Sequence, residues 1–367
     1  MIARPHLALL LATLPTACSQ PSDSGPKPPP QAATPAPEES PPPPVFLKGQ
    51  LHAHTGASGD SETPVADVVR WYDEHDYDFI VITDHNRITE AEGTDGMLVF
   101  PGVELTQNLD VCYPPPEGDN RCLLHVNALF VDPSRSDDAA AVTRPGSPDR
   151  VELFDHGVRV SGALGGIAQL NHPNFHYAAD ARVLGLVARR GLTIFELANE
   201  AVDSNNDGDE RHPSLEVVWD DVLSSGARLW GTATDDAHHY YDAAEVRARG
   251  ELAHTGDRGF VMVRAERNRD SIRDAIQRGD FYSSSGVLLE DVRAAERSVE
   301  VVVSAQSPGE HEFRFIGNGR VVHRERGREA RFDAGRAKLR YVRVVVEDPK
   351  GRKAWTQPHF LRDGGRT

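Results

Sequence analysis

The chain of 367 residues carries a formal net charge of −16, with 56 Asp and Glu against 40 Lys and Arg. This length is enough for one large domain with a smaller one, or for two domains of middling size. The acidic balance argues against nucleic acid as a partner, because a nucleic-acid-binding surface needs a concentrated basic face.

The N-terminal segment, residues 1–18, is typical of an export signal. It has a basic residue, an apolar run too short to span a bilayer stably, and small residues ahead of Cys18. Its end resembles a bacterial lipoprotein signal, in which Cys18 would carry the lipid. Pro15 stands where that signal usually has Leu, so simple cleavage near Ala17 is the alternative. We expect an exported protein, periplasmic or at the cell surface, with a lipid anchor at Cys18 that holds it to a membrane.

The segment 19–45 is dominated by Pro, Ser, Ala and Glu. This composition cannot bury a core and predicts an extended, semi-rigid linker. Beyond it, Cys112 and Cys122 lie in a loop rich in turn residues. In an oxidising compartment they would pair in a disulfide, and two unpaired thiols are the alternative.

From residue 46 onwards, short apolar runs alternate with amphipathic stretches. The run DFIVITDH (78–85) is typical of a strand buried on both faces, and the stretch 212–226 has apolar residues at helical spacing. Such alternation favours a parallel β/α architecture. Further runs of strand type lie at 97–105, 123–131, 165–173, 192–200, 227–236 and 259–265.

After about residue 287 the pattern changes to alternating strands. The stretches GNGR (317–320) and DPKG (348–351) are hairpin signals. We expect a small all-β, sandwich-like domain at 287–367, whose sequence names no partner.

Histidines and carboxylates follow the apolar runs at the points where the strands should end. The carboxyl ends of parallel strands converge on one mouth of a β/α barrel, so these side chains should meet there. His125 departs from the pattern, because it falls near the start of its run. Burying so many such groups together needs a positive counter-charge, and mixtures of His, Asp and Glu suit zinc, iron or manganese.

Six motifs in order resemble those of the PHP (polymerase and histidinol phosphatase) superfamily of metal-dependent phosphoesterases. They are GQLHAHTGASGDS, VITDHN, PGVEL, a downstream His125, QLNHP and DDAH. The similarity runs from about residue 47 to 286, and its last part, 259–286, resembles the carbaryl-hydrolase-like (CehA/McbA) branch. The resemblance implies an α/β fold, with a distorted (β/α)7 PHP-type barrel at 46–286, similar to a TIM barrel.

The resemblance also implies two or three divalent transition-metal ions (Zn, Mn or Fe). Glu104 would bridge two of them, and Glu104, Asp236 and His238 would be catalytic. The third ion would depend on Asp60. At this position the chain departs from the family pattern, since it reads Ser-Gly-Asp-Ser where many relatives read Ser-Asp-Gly. The implied metal ligands are His52, His54, Asp60, His85, Glu104, His125, His172, Asp236 and His238.

The implied activity is hydrolysis of a small-molecule ester by a hydroxide that bridges two metal ions. The substrate would be a phosphate mono- or diester, or a carboxylic or carbamate ester. The alternative is a catalytically silent surface-binding lipoprotein that keeps the barrel as a scaffold, but the complete ligand set favours catalysis. No serine nucleophile is expected at 283–285, because no base signature lies nearby.

Some polar residues near the motifs have more than one interpretation. Asp235, Asn86 and His239 flank implied ligands and would orient them or protonate a leaving group, but surface or packing roles fit equally well. The acidic stretch 203–210 resembles a calcium loop. Ser214 stands where the closing Glu is needed, so we expect a solvated loop instead.

Overall fold

The computed structural model describes residues 46–117, 121–135 and 146–361. The expectations for the export signal, Cys18 and the linker therefore lie outside the described residues. Residues Pro44–Thr367 form one compact unit. Of the helices in the described parts of the chain, none is both long enough and apolar enough to cross a membrane.

The helices and strands alternate in the first two thirds of the described chain, and strands alone follow. The helices are α1 (Val65–Asp73), α2 (Arg150–Ala163), α3 (Ala181–Arg189), α4 (Leu215–Ser224), α5 (Ala243–Ala248) and α6 (Arg269–Arg278), with short 3₁₀ turns at Pro133–Arg135 and Phe175–Tyr177. The strands are β1 (Phe46–Ala53), β2 (Phe79–Ile82), β3 (Leu98–Leu109), β4 (Cys122–Leu129), β5 (Ile167–Leu170), β6 (Ile194–Asn199), β7 (Trp230–Thr234), β8 (Phe260–Arg264), β9 (Phe281–Ser284), β10 (Leu289–Ala295), β11 (Ser298–Val303), β12 (His311–Gly317), β13 (Arg320–Gly327), β14 (Glu329–Asp333), β15 (Tyr341–Glu347), β16 (Lys353–Thr356) and β17 (His359–Phe360).

The central strands form one sheet in the order β8-β1-β2-β3-β4-β5-β6-β7. β1, β2 and β3 are parallel to one another, as are β5, β6 and β7. A parallel bridge between Ala53 and Ala237 brings the chain just after β7 back to the end of β1. The α/β class is thus confirmed, with a parallel core, while the full (β/α)7 barrel stays a prediction.

Two strands of this sheet, β4 and β8, are not parallel to their neighbours. β4 runs antiparallel to both β3 and β5, and β8 runs antiparallel to β1. β3 continues past residue 104 and pairs antiparallel with β4, the next strand along the chain, and the described residues between the two strands contain no helix. As a result, the amino end of β4 lies at the same edge of the sheet as the carboxyl ends of its neighbours.

A disulfide closes the connection between β3 and β4. Cys112 and Cys122 are bonded, with their Cα atoms 5.9 Å apart. Both are buried in the same apolar cluster as Leu124 of β4. The bond ties together the two chain segments that lead into and out of the sheet edge where the polar residues gather.

The apolar runs supply the core as their patterns predict. All four residues of β2 are buried. The predicted apolar face of α4, formed by Leu215, Val218, Trp219 and Val222, is also buried. These contacts fix the strands whose ends carry the polar residues.

The C-terminal strands form two sheets, and one of these continues the central sheet. β10, β11 and β14 make a separate antiparallel sheet, whereas β13, β12, β15 and β16 join the central sheet where β16 pairs with β9. Both predicted hairpins are present, between β12 and β13 and between β15 and β16. The expected boundary near residue 286 falls between β9 and β10, and the division into two domains stays a prediction.

Candidate metal centre

The nine implied ligands converge at the edge where the carboxyl ends of the parallel strands meet. β1 carries His52, β3 carries Glu104, and β4 carries His125 close to its amino end. The other six ligands lie in the segments that follow β1, β2, β5 and β7: His54, Asp60, His85, His172, Asp236 and His238. Their donor atoms fall into three overlapping groups.

The first group contains His52, His54 and Glu104, all fully buried. The Nε2 atoms of the two histidines lie 3.0 Å apart and so face the same point. Asp236 joins them, because its Oδ1 is 3.2 Å from His52 Nε2 and 3.1 Å from His54 Nε2. Two imidazoles and two carboxylates around one point are a ligand set typical of a divalent transition metal.

The second group contains Glu104, His125 and His172. Glu104 Oε1 lies 3.0 Å from His125 Nδ1 and 3.4 Å from His172 Nε2. The other carboxylate oxygen of Glu104, Oε2, is the one that faces His52 and His54, at 3.5 and 3.4 Å. Glu104 therefore belongs to both groups with a different oxygen in each, as a carboxylate that bridges two ions would.

The third group contains His54, Asp60, His85 and His238. Asp60 Oδ2 is 2.9 Å from His85 Nε2 and 3.3 Å from His238 Nε2. The Asp60 side chain is 45% exposed, unlike the buried carboxylates of the other two groups. This group is the most open of the three and lies nearest to solvent.

Several of these histidines are held by a hydrogen bond to one ring nitrogen, which aims the other nitrogen into a group. The partner of His52 Nδ1 is Glu196 at 2.7 Å, and that of His54 Nδ1 is Ser58 Oγ at 2.9 Å. His125 Nε2 contacts Asn108 Oδ1 at 2.8 Å, and His238 Nδ1 contacts the carbonyl oxygen of Asp236 at 2.9 Å. Such partners are a regular feature of metal-binding histidines, because they fix the tautomer and the ring orientation.

Glu196, a fully buried carboxylate on β6, supports the site in a way that the sequence motifs do not indicate. Besides contacting His52, it accepts hydrogen bonds from the backbone N–H of His172 at 2.6 Å and from Thr234 Oγ1 at 2.7 Å. The amides of Gln169 and Asn199 also donate to it. A carboxylate inside the apolar run LTIFELANE was the available signal, since a buried Glu needs partners.

Asn171 is a second residue whose role sequence analysis did not assign. Its side-chain amide donates to Glu104 Oε1 at 2.9 Å and to Asn127 Oδ1 at 2.9 Å. Asn127 in turn donates to the carbonyl oxygen of Leu51. This chain of amides orients the shared carboxylate from the floor of the site.

The unsatisfied atoms of the site fit a bound cation. Glu104 Oε2 and His125 Nδ1, which both face the ligand groups, are buried without a hydrogen-bond partner in the described structure. His125 Nδ1 comes within 3.0 Å of Glu104 Oε1, but this approach lacks hydrogen-bond geometry. Leaving such groups unpaired in a buried site costs roughly 1–3 kcal/mol each or more, which a metal ion would offset.

The electrostatics of the site also suit metal ligation. Burial, together with the neighbouring His238, lowers the pKa of His54 to about 3, so this imidazole is neutral and able to bind a metal. Burial raises the pKa of Glu104, but His85, His125 and His52 outweigh this effect and hold the pKa well below its usual range. Burial lowers the pKa of His85, but Glu104 and Asp60 prevail and raise it to about 10. The carboxylates thus stay ionised and attract positive charge, which without a metal ion is a proton on His85 and which a bound ion would replace.

Two of the ligands have a strained backbone. His172 has a φ of 25° and Asp236 a φ of 49°, in the region that residues other than glycine seldom adopt. Each is placed where its strand ends and the chain turns. Strain of this kind persists only where the surrounding structure enforces it, and it occurs often at functional sites.

The flanking residues divide between structural and cavity-lining positions. Asp235 is buried and accepts hydrogen bonds from the backbone N–H groups of residues 257–259, so it anchors that loop. Asn86 bonds the backbone of Thr106 at the surface. His239 lines the cavity beside the site. The Ser283 hydroxyl donates a hydrogen bond to the carbonyl oxygen of Gly231 at 2.8 Å. Its role is therefore structural, in the contact between β9 and β7.

The acidic stretch 203–210 contributes to none of the three groups of donor atoms found among the described residues. Asp209 interacts instead with His212 and with the hydroxyl of Tyr177. Asp203 points to the cavity of the candidate metal centre. The stretch therefore works as a loop at the rim of the site.

The three groups line a cavity of about 410 Å³. A volume of this order holds a small molecule rather than a polymer. The cavity wall includes Asp60, Glu104, His172, Asp236 and His238, so a molecule in the cavity would touch the ligands directly.

Comparison with solved structures finds a similarity to a two-domain bacterial protein. A solved two-domain protein from Bacteroides vulgatus, described as containing a predicted PHP-like metal-dependent phosphoesterase, aligns over 86% of this chain and 96% of its own, at 15% sequence identity and a TM-score of 0.42. Similarity at this level carries no argument about function. No protein-family model and no curated protein matches the chain.

Proposed function

We propose that this protein is a metal-dependent hydrolase of ester bonds, of the phosphoesterase type that its motifs resemble. Its substrates would be small phosphate mono- or diesters, or carboxylic or carbamate esters, as in the carbaryl-hydrolase-like branch. The ions would be zinc, manganese or iron, because the donor set mixes imidazoles with carboxylates.

One observation carries the proposal: Glu104 presents its two oxygens to two different groups of histidines. Oε2 faces His52 and His54, whereas Oε1 faces His125 and His172. A structural carboxylate could be satisfied by one or two donors. Five surrounding imidazoles, with His85 Nδ1 also 2.8 Å from Oε2, and a buried oxygen without a hydrogen-bond partner instead support a pair of cations held close together.

Ions held by the three groups of ligands would supply polarisation of the ester and a lowered pKa for the attacking water. Glu104 would set the spacing between the two groups, held in place by Asn171. Asp236, which joins the first group, and His238, which belongs to the third, both line the cavity, where either would be placed to hold a proton of the attacking water or of the leaving group. Asp60 and His85 would extend the site towards the substrate.

The proposal is tested by metal analysis of the purified full chain together with a substrate screen. Elemental analysis should find two or three divalent ions per chain. The screen should include aryl phosphates, diaryl phosphates, carboxylic esters and carbamates. Chelation should abolish turnover, and adding back the ion should restore it. A metal-free protein would refute the proposal, whereas a metal-loaded protein without turnover would favour the silent binding lipoprotein.

For this function we also propose the setting that the N-terminal sequence predicts, namely export and a lipid on Cys18. Incorporation of labelled palmitate that is lost in Cys18→Ala would support the anchor. Incorporation that persists in the variant would contradict it.

A further inference from the structure

The cavity beside the metal centre has a wall with an unusual charge composition. Among the described residues that line it, none is Lys or Arg. The residues beyond the three metal groups are of two kinds. The polar ones include Asp203, His239, Glu251 and His254, and the apolar ones are Leu123, Phe175, Ala201 and Leu252. Apart from bound ions, the wall therefore offers no fixed cation to an anionic substituent.

The two acidic residues beyond the metal groups, Glu251 and Asp203, differ in how their charge is compensated. Glu251 forms two hydrogen bonds with Arg249, at 2.9 and 3.2 Å, so its charge is neutralised. In the described parts of the chain, the Asp203 carboxylate has no Lys or Arg nitrogen within 4.0 Å. Its ion-pair contact is His254 Nδ1 at 3.9 Å. Asp203 is the uncompensated charge at the rim.

His254, which lies beside Asp203 in the cavity wall, has a ring nitrogen without a hydrogen-bond partner among the described residues. This atom, Nδ1, is buried. Its backbone is fixed, because its N–H donates to His239 Nδ1 and its carbonyl oxygen accepts from the N–H of His238. Asp203 and His254 therefore line the same part of the cavity, with Asp203 Oδ1 3.9 Å from His254 Nδ1.

Phe175 and Leu252 supply apolar surface to the same cavity. The Phe175 ring packs edge-on against His172, with their centroids 5.1 Å apart. Leu252 is 59% exposed, although large apolar side chains gain free energy when they are covered. An apolar portion of a bound molecule would cover both.

We propose that the cavity selects esters whose non-reacting portion is apolar and neutral or cationic, and that Asp203 selects against an anionic one. This proposal rests on the proposed function, because it concerns the substrate of the same site. The ions would hold the reacting ester group of every substrate alike. Discrimination would therefore arise where the remainder of the molecule lies against Phe175, Leu252 and Asp203.

The test uses aryl acetates and aryl phosphates that share one reacting group and differ only in a para substituent. Trimethylammonium and tert-butyl have nearly the same shape and differ by one charge, and carboxylate supplies the anion. For the metal-loaded full chain, kcat/KM divided by the rate constant for alkaline hydrolysis of the same ester should fall from the cationic to the neutral to the anionic substrate, since this division removes the effect of the substituent on the leaving group. The ratio between the two extremes should be roughly tenfold or more at low ionic strength, and smaller in high salt.

Variants distinguish the effect of the Asp203 charge on substrate preference from the effect of the negative net charge of the whole protein. Asp203→Asn should remove most of the charge preference, and Asp203→Lys should invert it. Asp207→Asn is the matched control, because Asp207 is an exposed acid of the same loop that lines a different cavity. Its ratio should stay at the wild-type value. Thermal unfolding of each variant checks that the fold is kept.

The outcomes separate this proposal from the proposed function. If the metal-loaded protein hydrolyses none of the esters, the proposed function fails. If it hydrolyses them without regard to charge, or if the preference survives unchanged in Asp203→Asn, the proposed function stands and the role of Asp203 is refuted.

Discussion

At the scale of single residues, Glu104 is the position on which the proposed chemistry depends most. Glu104→Gln keeps the size of the side chain but removes the negative charge shared by two groups of histidines. We expect the metal content to fall and turnover to drop roughly a thousandfold or more, since two-metal sites supply several kcal/mol of transition-state stabilisation. Elemental analysis and kcat on the best substrate of the screen measure both.

The control for this prediction is Asp60→Asn. Asp60 is half exposed and belongs to the outermost group alone, so its loss should cost less than the loss of Glu104. Ser283→Ala should leave turnover unchanged, because Ser283 bonds the backbone of Gly231. A Glu104→Gln protein with wild-type metal content and turnover, beside an inactive Ser283→Ala protein, would overturn the metal mechanism.

Glu196 should affect the site without touching a metal ion. Glu196→Gln places an N–H₂ group where the carboxylate now accepts hydrogen bonds from several donors, so His52 would lose its orienting partner. We expect the metal affinity to fall roughly 10- to 100-fold, the usual cost of losing such a partner. Competition with a chelator measures the affinity. Glu216→Gln, a change in an acid paired with Lys353 away from the site, should leave it unaltered.

Glu200 should make the stability of the protein depend on pH. Burial, aided by Asp235 and Asp207 and opposed by Arg258, raises the pKa of Glu200 to about 7. The folded protein therefore binds this proton more tightly than the unfolded chain does. The resulting stabilisation is complete below the unfolded pKa and is lost as the pH rises through about 7.

The variant Glu200→Gln lacks this titration. Between about pH 4.5 and 8, its free energy of unfolding should rise relative to wild type by about 2–3 kcal/mol. Urea unfolding of both proteins at several pH values, in matched buffers, measures the difference. A difference that is constant across this pH range would show that Glu200 does not titrate as described.

At the scale of elements, strand positions could be predicted from the sequence, but the direction of two strands could not. Continuous apolar runs mark β2 and β6 as buried, and the turn signals mark both C-terminal hairpins. A run of apolar residues does not indicate the direction in which its strand runs. Nothing in LLHVNALFV or GFVMVRA therefore predicts that β4 and β8 are antiparallel to their neighbours. Direction is decided by the connection before each strand.

The reversal of β4 explains the position of His125. In a parallel strand, a histidine near the start would lie at the edge opposite to the site. Because β4 is antiparallel, its start lies at the edge of the site, and His125 stands across the ladder from Thr106. The sequence could identify His125 by its resemblance to the family motifs. Supporting residues such as Glu196 and Asn171 could not be assigned, because their roles depend on contacts between strands distant in sequence.

At the scale of the whole molecule, the C-terminal strands make buried contacts with the preceding region that a loosely appended domain would lack. Arg343 of β15 is fully buried and pairs with Asp220 of α4, its Nε 2.8 Å from Oδ1 and its Nη2 2.7 Å from Oδ2. Trp355 of β16 donates to Glu216 at 3.1 Å. Tyr341 and Val345 of β15 belong to the same apolar cluster as Trp219.

These contacts predict the result of ending the chain after Gly286. The truncated chain would expose the apolar face now covered by β15 and β16 and would leave Asp220 without Arg343. With the covering strands gone, Asp220 would face water, so the main loss of stability comes from the apolar face, at roughly 25 cal/mol per Å² of apolar surface exposed. Exposed apolar surface of this kind also promotes aggregation. We therefore expect residues 46–286 alone to aggregate or to unfold without cooperativity, as measured by size-exclusion chromatography and thermal unfolding.

A chain that ends after Leu361 is the matched control, because it keeps β15, β16 and β17. It should remain soluble and should unfold as the full chain does. The single variant Arg343→Met then separates the contribution of the ion pair from that of the apolar contacts. It leaves Asp220 without its partner but keeps β15 and β16 in place. If residues 46–286 stay soluble, unfold cooperatively and bind metal, the region before residue 286 is an independent domain, and the contacts across α4 contribute little to its stability.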